Sequence, residues 1–470
     1  MESYRIYLLM FKNPRCCLAF MPELRFIDLF SGIGGFHHAL TDLGHECVFA
    51  CDTDRDCNLV YSDNWQMGSV GDIRKLTDVV PDHDVLCAGF PCQPFSKSGS
   101  QLGFKDKTRG TLFHSIMDII DNKKPRYVIL ENVANLENHD NGRTAKIIKM
   151  SLDEANYYCY DGLLSPHQFG IPHHRPRYFI VGIHRSVNGY REFRFPNKLD
   201  LECDALSLDD GSDRNNLSED LQRVLDHWTV FMESLPKGVT PPSPTWSMEF
   251  GRGYPLERIH PLVRGSPSRV RLCEILESEG ILANPDWPKK EIMALFPPYI
   301  RKMKKVIPQW KKGFIQKNRK FWDEYGSELP EGWLEKTREF DETFQKFEWH
   351  VGADAERDVM AHMIHTRPSG IRVSRLNWIP ALVAIAQIPI IGPWRRRLTA
   401  REAARAQSFK DDFKLHEKDS VSFKQLGNSV NVEVVKRVML GIQDVEMKSD
   451  LDVMERESSP EFEVFQLDNQ

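Results

Sequence analysis

Short apolar runs alternate with helical patterns along residues 24–182 of the chain. The runs RFIDLF, CVFAC, DVLCAGF, RYVIL and RYFIVG are rich in β-branched and aromatic residues, which is typical of buried strands. Between the first two runs, Phe36 and Leu40 recur at helical spacing, and Gly44 is placed to end the helix. Strands that alternate with helices predict an α/β fold with a mostly parallel sheet, whose ligands bind at the carboxyl ends of its strands.

This pattern fades near Asn188 and gives way to an irregular section, rich in Pro, Trp and charge, that reaches about Arg372. Apolar, helical character returns from WIPALVAIAQIPIIG onward, where TAREAARAQSF and VNVEVVKRVMLGI have the spacing of amphipathic helices. The simplest architecture is one α/β domain whose chain leaves, builds a smaller domain and returns. We predict an N-terminal extension outside the fold at 1–20, the first part of the α/β domain at 21–187, the inserted domain at 188–372, the returning part at 373–445 and a solvated acidic tail at 446–470.

Composition and charge narrow the class of protein. No window approaches the roughly 18 apolar residues of a membrane span, and the apolar stretch 4–21 is split by Lys12, Pro14 and Arg15, so it lacks a signal-peptide core. The formal net charge is −5, but segment 444–470 carries nine acidic and two basic residues, a net of −7, so the rest of the chain carries +2. A slightly basic body can bind nucleic acid locally, although the whole-chain charge is negative.

The first apolar run leads into a glycine-rich turn, IDLFSGIGGF, and then into a helix. Its glycines, Gly32, Gly34 and Gly35, do not have the GxGxxG spacing of a dinucleotide fingerprint, so a pyrophosphate cradle is a poor match. Asp52 ends the next strand and can accept hydrogen bonds from both hydroxyls of a ribose, while Asp72 in VGDIRKL can accept one from an adenine amino group. The alternative is a tight turn with two helix-capping aspartates.

The stretch AGFPCQPFSKSG places Cys92 after an apolar strand and between Pro91 and Pro94, which fix the backbone on either side. The ten cysteines include no CxxC pair, so we predict no metal site. A cysteine after a strand can be a small buried hydrophobe, but the polar neighbours of Cys92 favour a loop that closes over a substrate and presents a thiolate. The residue alone leaves both interpretations open.

Charged residues stand at the ends of two further predicted strands. Glu131 ends the strand RYVIL at the same predicted edge of the sheet, where an acid is usually functional or paired. Arg175 and Arg177 in GIPHHRPRYFIVG share one side of an extended segment at period two, so both can donate to a carbonyl and pair with Glu131. A helix cap at Glu131 and a surface charge pair are the alternatives.

Together, the motifs DLFSGIGGF, GFPCQPFS, ENV, RPR and QLGNSV resemble, in order and context, those of the DNA cytosine-5 methyltransferases. The resemblance covers roughly residues 24–185 and 370–440, and the combination of motifs is highly specific. It implies a Rossmann-like, S-adenosylmethionine-dependent methyltransferase fold, with S-adenosylmethionine as cofactor and double-stranded DNA as substrate. It also implies that the intervening section is a target recognition domain.

The resemblance further implies a role for each motif residue. Cys92 would add to carbon 6 of a cytosine, which turns the ring into an enamine that can attack a methyl sulfonium. Glu131 would hold or protonate ring nitrogen 3. Arg177, with Arg175, would support the ring carbonyl and the Glu131 carboxylate. The residues implied around the cofactor are Phe30, Gly32, Gly34, Gly35, Asp52, Asp72, Ile73, Leu112, Asn428 and Val430.

Two positions depart from the family pattern. His173 stands where the family usually has Gln before its Arg-x-Arg pair, and an imidazole can replace one amide hydrogen bond but not both. We expect activity to survive this change. Thr53 follows Asp52 where a large aromatic residue often stacks on adenine, which leaves Phe30 as the stacking face.

A basic segment stands out in the irregular section. Residues 289–320 contain eleven Lys or Arg and one acid, interleaved with aromatic residues, which favours contact with DNA phosphates over a merely solvated pair of amphipathic helices. The target base must also leave the stack, because attack at carbon 6 needs access to the face of the ring. The residues predicted to contact DNA are Gln93, Ser96, Ser98, Arg109, Lys302, Lys304, Lys305, Lys311 and Lys312.

The sequence therefore predicts a DNA cytosine-5 methyltransferase from a restriction-modification or phage system. We expect a monomer in the cytoplasm, associated with the nucleoid and without a membrane partner, functionally paired with a cognate restriction endonuclease. The alternatives are a transfer RNA cytosine-5 methyltransferase and a DNA-binding relative that has lost catalysis. A nicotinamide-dependent dehydrogenase is disfavoured by the glycine spacing.

Overall fold

The computed structural model describes residues 23–69, 71–91, 112–199, 201–213, 217–253, 256, 267–277, 281–296, 307–382 and 387–457, the last eleven of these as backbone only. The chain divides into two units. The first comprises Met1–Gly211, Asn377–Ala386 and Thr399–Gln470, and the second comprises Ser212–Leu376 and Gln387–Leu398. Among the described helices, none has the length and apolar character of a membrane span.

The first unit is built on a six-stranded sheet with the order β2-β1-β3-β4-β7-β5. Strands β2, β1, β3 and β4 are mutually parallel, and β7 runs antiparallel to both of its neighbours. The predicted α/β fold with a mostly parallel sheet is therefore confirmed, and the run RYFIVG supplies the antiparallel strand. The strands of this unit are β1 Arg25–Leu29, β2 Glu46–Cys51, β3 Val85–Ala88, β4 Tyr127–Val133, β5 Tyr157–Leu164, β6 His173–His174, β7 Arg177–His184 and β12 Ile379–Pro380, of which β6 and β12 form a separate parallel pair.

Helices flank this sheet, and side-chain caps fix where several of them begin. The Asp54 carboxylate accepts from the first-turn N–H groups of α2, and Thr399 with Glu402 forms a capping box at the start of α10. The helices of the first unit are α1 Gly35–Thr41, α2 Arg55–Trp65, α3 Leu112–Lys123, α4 Arg143–Glu154, α10 Ala400–Ala406, α11 Asp419–Asn428 and α12 Val432–Glu457.

The core of the first unit joins the strands to the helices. Ile27, Leu86 and Val128 come from three adjacent strands and are fully buried, and they belong to one cluster with Ile116 of α3. Burying a side chain of this size stabilises the fold by about 1.5–3 kcal/mol relative to leaving it exposed. The packed sheet gives the residues at its strand ends a rigid base.

The second unit contains a mixed sheet with the order β14-β13-β10-β11-β9-β8, together with helices α5–α9. Its core is aromatic: the Trp228 ring stacks on Phe347 at 4.6 Å between centroids, and His227 stacks on Trp333 at 4.7 Å. The elements are α5 Glu219–Ser234, β8 Thr245–Trp246, α6 Arg269–Glu277, α7 Lys289–Ala294, α8 Gln309–Tyr325, α9 Trp333–Glu339, β9 Lys346–His350, β10 Met363–Arg367, β11 Gly370–Ser374, β13 Ile390–Ile391 and β14 Arg396–Arg397.

The units differ from the predicted domain boundaries in three places, since residues 188–211 group with the first unit and residues 373–376 and 387–398 group with the second. The prediction that the chain is a solvated tail from residue 446 onward is wrong for the first residue of that segment, Glu446. Helix α12 continues to Glu457, and Glu446 is buried, where it accepts a hydrogen bond from Tyr127 and pairs with Arg126 at 2.5 Å. The predicted extension 1–20 lies outside the described residues.

Candidate active site

A cavity of about 750 Å³ lies at the carboxyl ends of the four parallel strands. Residues just beyond the ends of β1, β2 and β3 line it, and so do the last residues of β4, which is the edge of the sheet where such folds bind ligands. The predicted site residues that line the cavity are Phe30, Gly32, Asp52, Asp72, Ile73, Leu112, Glu131, Arg175, Arg177 and Asn428.

The glycine-rich turn holds Asp52 in place. The Asp52 carboxylate accepts hydrogen bonds from the backbone N–H of Gly32 at 2.9 Å and from that of Asp54 at 2.8 Å. Gly32 has a φ of +53°, a conformation that favours glycine, so the turn can bring its N–H to the carboxylate. These two bonds leave acceptor capacity on Asp52 for hydroxyl groups of a ligand in the cavity.

The other two glycines of the turn serve close packing. A Cβ on Gly34 would lie 2.4 Å from Trp65 Nε1, and a Cβ on Gly35 would lie 2.6 Å from Val430 Cγ2. Neither glycine is among the residues that line the cavity, and neither is Val430. Their predicted contact with the cofactor stays a prediction, while their packing role follows from the distances.

Asp72 and Ile73 form another part of the wall. The Asp72 carboxylate accepts hydrogen bonds from the backbone N–H of Arg74 at 3.1 Å and from its Nε at 2.9 Å, and the bond from the Arg74 side chain lowers the pKa of Asp72. Ile73 is buried and presents an apolar face. The wall therefore combines an anionic acceptor with an apolar surface.

Glu131 and Arg177 form an ion pair at the cavity. Arg177 Nε lies 3.1 Å from Glu131 Oε1, and the two side chains are 17% and 10% exposed. Glu131 lies near the end of β4 and Arg177 begins β7, and the antiparallel pairing of these strands brings the side chains together. Burial raises the pKa of Glu131, although the positive charges of Arg177 and Arg175 oppose the shift. Glu131 is thus suited to hold a proton that a neighbouring ring nitrogen can share.

The side chain of Arg175 binds backbone carbonyls. Its guanidinium is buried and donates to the backbone carbonyls of Gly427, Ser429 and Leu382, at 2.8, 2.7 and 3.3 Å respectively. Among the described residues, no hydrogen bond joins Arg175 to Glu131. The predicted pairing with Glu131 is therefore found for Arg177 but not for Arg175, whose guanidinium donates to backbone carbonyls instead.

His173, the departure from the family pattern, is fully buried. Its Nδ1 is 3.1 Å from the carbonyl oxygen of Ala406, so Nδ1 carries the proton, and Nε2 has no partner in the part of the chain that the structure describes. Burial lowers the pKa of His173 well below its ordinary value, so the ring is neutral. The imidazole makes one of the two bonds available to an amide, as predicted.

Several predicted residues lie outside the described residues. They are Cys92, Gln93, Ser96, Ser98, Arg109, Lys302, Lys304 and Lys305. Pro91, the residue before Cys92 in the sequence, lines the cavity. Lys311 and Lys312 belong to helix α8, and the Lys311 ammonium lies 5.6 Å from the centre of the Trp246 ring. Their contact with DNA stays a prediction.

Sequence reasoning missed part of the wall. Asn132 lines the cavity and donates to the carbonyl of Phe90 at 2.8 Å, which ties the end of β4 to the chain beyond β3. Both residues belong to motifs already noted, ENV and GFPCQPFS, so their position could have been inferred. Arg74 and Leu382 also line the cavity, and nothing in the sequence pattern points to them.

Three carboxylates lie close enough together to be considered as a metal site. Oxygen atoms of Asp209, Asp210 and Glu402 lie within 4.8 Å of one another. Glu402 accepts from the backbone N–H groups of Thr399 and Asp210, and Asp210 accepts from the Thr399 hydroxyl, so these carboxylates already have protein donors. The group therefore serves to cap α10.

The fold and the site together define a protein of the α/β class, with a ligand cavity and an acid–guanidinium pair at the strand ends. The family of C-5 cytosine-specific DNA methylases matches residues 24–251 and 274–444. The chain belongs to this family, and it is a DNA cytosine-5 methyltransferase, as predicted from the sequence.

Individual relatives extend this result along most of the chain. Type II methyltransferase M.AluI of Cellulosimicrobium cellulans is 31% identical over 488 residues, covering 88% of this chain and 91% of the relative. Type II methyltransferase M.BanI of Aneurinibacillus aneurinilyticus is 31% identical over 89% of this chain and 95% of its own. Type II methyltransferase M.HhaI of Haemophilus parahaemolyticus is 44% identical, over 38% of this chain and 54% of the relative.

Proposed function

We propose that this enzyme transfers the methyl group of S-adenosylmethionine to carbon 5 of a cytosine that is flipped out of double-stranded DNA, through a covalent bond between Cys92 and carbon 6. The observation that carries the proposal is that the Glu131–Arg177 pair and the Asp52 carboxylate line one cavity. One end of this cavity suits a base with a ring nitrogen and a carbonyl, and the other suits a ribose.

The cavity fits a nucleoside cofactor in size and chemistry. Its volume of about 750 Å³ is in the range of small-molecule sites. Asp52 would accept from the ribose hydroxyls, Asp72 from the adenine amino group, and Phe30 with Ile73 would enclose the ring between apolar surfaces. When bound, S-adenosylmethionine supplies an electrophilic methyl group on a sulfonium.

The residues of this chain would activate the cytosine. The Cys92 thiolate forms a bond to carbon 6, and the electron pair displaced from the ring double bond becomes available at carbon 5. Glu131 shares its proton with ring nitrogen 3, and Arg177 donates to the ring carbonyl, so charge that develops in the ring is offset. After transfer, the carbon 5 proton leaves to a base and Cys92 departs with the electron pair of its bond to carbon 6.

The proposal extends to the partners and the setting of the enzyme. The basic segment that includes Lys311 and Lys312 would bind DNA phosphates, and duplex DNA would supply the flipped base. The relatives are named type II methyltransferases, which supports a modification role alongside an endonuclease of the same target sequence. We propose that the enzyme works as a monomer in the bacterial cytoplasm, at the nucleoid.

One experiment tests the substrate and the nucleophile together. Purified enzyme is incubated with labelled S-adenosylmethionine and, in parallel, with duplex DNA of mixed sequence or with transfer RNA. We expect label in the duplex only, and label in RNA alone would overturn the proposed substrate. A duplex that contains 5-fluorocytosine should trap a covalent complex, because a fluorine at carbon 5 cannot leave as a proton does.

A matched pair of cysteine variants identifies the attacking thiol. Cys92→Ala should form no trapped complex, whereas Cys203→Ala, which removes a thiol that donates to backbone carbonyls, should trap DNA like the wild type. Trapping by Cys92→Ala would show that another residue is the nucleophile.

A further inference from the structure

The last turn of α11 and the residues that follow it, 426–431, form one wall of the cavity. Gly427 and Asn428 line the cavity, and α12 begins four residues later at Val432. On its other side the segment packs tightly on α1, where a Cβ on Gly35 would lie within 2.8 Å of Ser429 Oγ. The position of this wall therefore depends on what holds its backbone.

Arg175 holds the segment from the side of the sheet. Its Nη2 donates to the carbonyls of both Gly427 and Ser429, and the side chain is 1% exposed. Burial lowers the pKa of Arg175 to about 9, which still leaves the guanidinium charged at neutral pH. Hydrogen bonds from a charged donor to carbonyl oxygens are stronger than neutral ones, so this contact fixes the backbone firmly.

Gln407, at the end of α10, holds the same segment from another direction. Its fully buried side chain donates to the carbonyls of Leu426 at 2.6 Å and Ser429 at 3.1 Å. Its own carbonyl accepts from the N–H of Val432 at 3.0 Å. Gln407 thus contacts both ends of the segment, and it shares the Ser429 carbonyl with Arg175.

We propose that Arg175 and Gln407 form a clamp that positions the Gly427–Asn428 wall for binding the methyl donor. This inference rests on the proposed function, which assigns that wall to the cofactor. Both residues are positioning residues: they act through the backbone of residues 426–429 and do not touch the cytosine. Glu131 and Arg177 remain responsible for the base, so the two arginines of the RPR motif have separate tasks.

The clamp predicts a particular kinetic signature. Gln407→Leu removes both of its side-chain hydrogen bonds to the segment. Arg175→Lys replaces two donating nitrogens, Nη1 to Leu382 and Nη2 to Gly427 and Ser429, by a single ammonium on a shorter side chain. Each variant should raise KM for S-adenosylmethionine about tenfold, the loss expected for one or two buried hydrogen bonds, while kcat at saturating cofactor stays within about twofold. Affinity for S-adenosylhomocysteine, measured by calorimetry without DNA, should fall by the same factor.

Gln443→Leu is the matched control, because Gln443 is also buried in the first unit but donates to His45, away from the cavity. It should lower Tm comparably and leave cofactor affinity within about twofold. Gln407→Glu keeps the size of the side chain and loses the donor, so it should weaken cofactor binding even where Gln407→Leu folds poorly.

The outcomes separate the clamp from the proposed function. Wild-type cofactor affinity in both Gln407→Glu and Arg175→Lys would overturn the clamp, and so would equal weakening in Gln443→Leu. If the wild-type protein bound neither S-adenosylmethionine nor S-adenosylhomocysteine, the proposed function itself would fail.

Discussion

Arg177 Nε lies 3.1 Å from Oε1 of Glu131, with both side chains largely buried where β4 and β7 pair. Burial outweighs the attraction of the arginine, so the pKa of Glu131 is raised. A raised pKa favours the protonated carboxyl, and in the proposed function Glu131 shares a proton with ring nitrogen 3 of cytosine as charge develops there. The pair therefore predicts an acid whose loss affects the chemical step.

Glu131→Gln should lower kcat about 10²–10⁴-fold, the usual effect of losing a positioned acid, with little change in KM for DNA. Single-turnover methyl transfer at saturating S-adenosylmethionine measures the chemical step directly. Glu154→Gln, at the exposed end of α4, is the control and should retain full activity. Equal rates for Glu131→Gln and the wild type would remove Glu131 from the mechanism.

The raised pKa of Glu131 also predicts how stability depends on pH. The folded protein holds this proton more tightly than the unfolded chain, so the contribution of Glu131 to the free energy of unfolding is fully present below the ordinary value of 4.5 and is lost as pH rises through the folded pKa. The wild type should lose stability relative to Glu131→Gln over that window. Urea unfolding of both proteins at a series of pH values from below 4.5 upward measures the difference between their free energies of unfolding, and a difference that does not change with pH would contradict the raised pKa.

The hydrogen bonds of Asp52 predict how a substitution at this position changes the affinity for the cofactor. Its carboxylate accepts from the N–H groups of Gly32 and Asp54, so Asp52→Asn would set an amide donor against a backbone donor. We expect about tenfold weaker binding of S-adenosylhomocysteine by calorimetry, because the turn shifts and an acceptor for the ribose is lost. Asp63→Asn, on the exposed side of α2, should bind normally. Wild-type affinity in Asp52→Asn would show that Asp52 does not contribute to the cofactor site.

The close packing around Gly35 predicts that a larger residue there destabilises the fold and that a smaller residue at position 430 restores part of the stability. A Cβ at this position would lie 2.6 Å from Val430 Cγ2, so Gly35→Ala should lower the free energy of unfolding by about 1–3 kcal/mol, as overpacked substitutions do. Shortening the neighbour in Gly35→Ala/Val430→Ala should recover part of that loss. Thermal unfolding of the two single variants and the double variant gives the coupling, and strict additivity would show that the two residues are not in contact.

Part of this site is predictable from the sequence, because the carboxyl ends of parallel strands must meet at one edge of the sheet. That rule brings Asp52 and Glu131 to one cavity, and both line it. The rule does not say which partners Arg175 takes, because they lie near the C-terminal end of the chain. Arg175 therefore points toward Ser429, a contact across 254 residues that no local period encodes.

The second unit and the C-terminal helix were less predictable, for physical reasons. The second unit buries Trp228 against Phe347 and joins strands of two to five residues, which are too short for a clear alternation. The acidic residues near the C-terminus suggested a solvated tail, but one of them, Glu446, is buried and has a buried partner, Tyr127, far back in the chain. Composition gives the sign of a side chain's charge, but it does not show whether the fold provides a partner for that side chain.

Glu446 gives the last prediction. Its carboxylate is 6% exposed, accepts from the Tyr127 hydroxyl and pairs with Arg126, whose side chain is 40% exposed. Glu446→Ala should lower the free energy of unfolding by about 1–3 kcal/mol, because the buried Tyr127 hydroxyl loses the Glu446 carboxylate as acceptor and the solvent-screened ion pair adds little. Glu433→Ala, on the same helix, removes a partly exposed pair with Arg437 and should cost less, about 0.5 kcal/mol. Urea unfolding of both variants measures the difference, and equal small losses would mean that α12 is not anchored at Glu446.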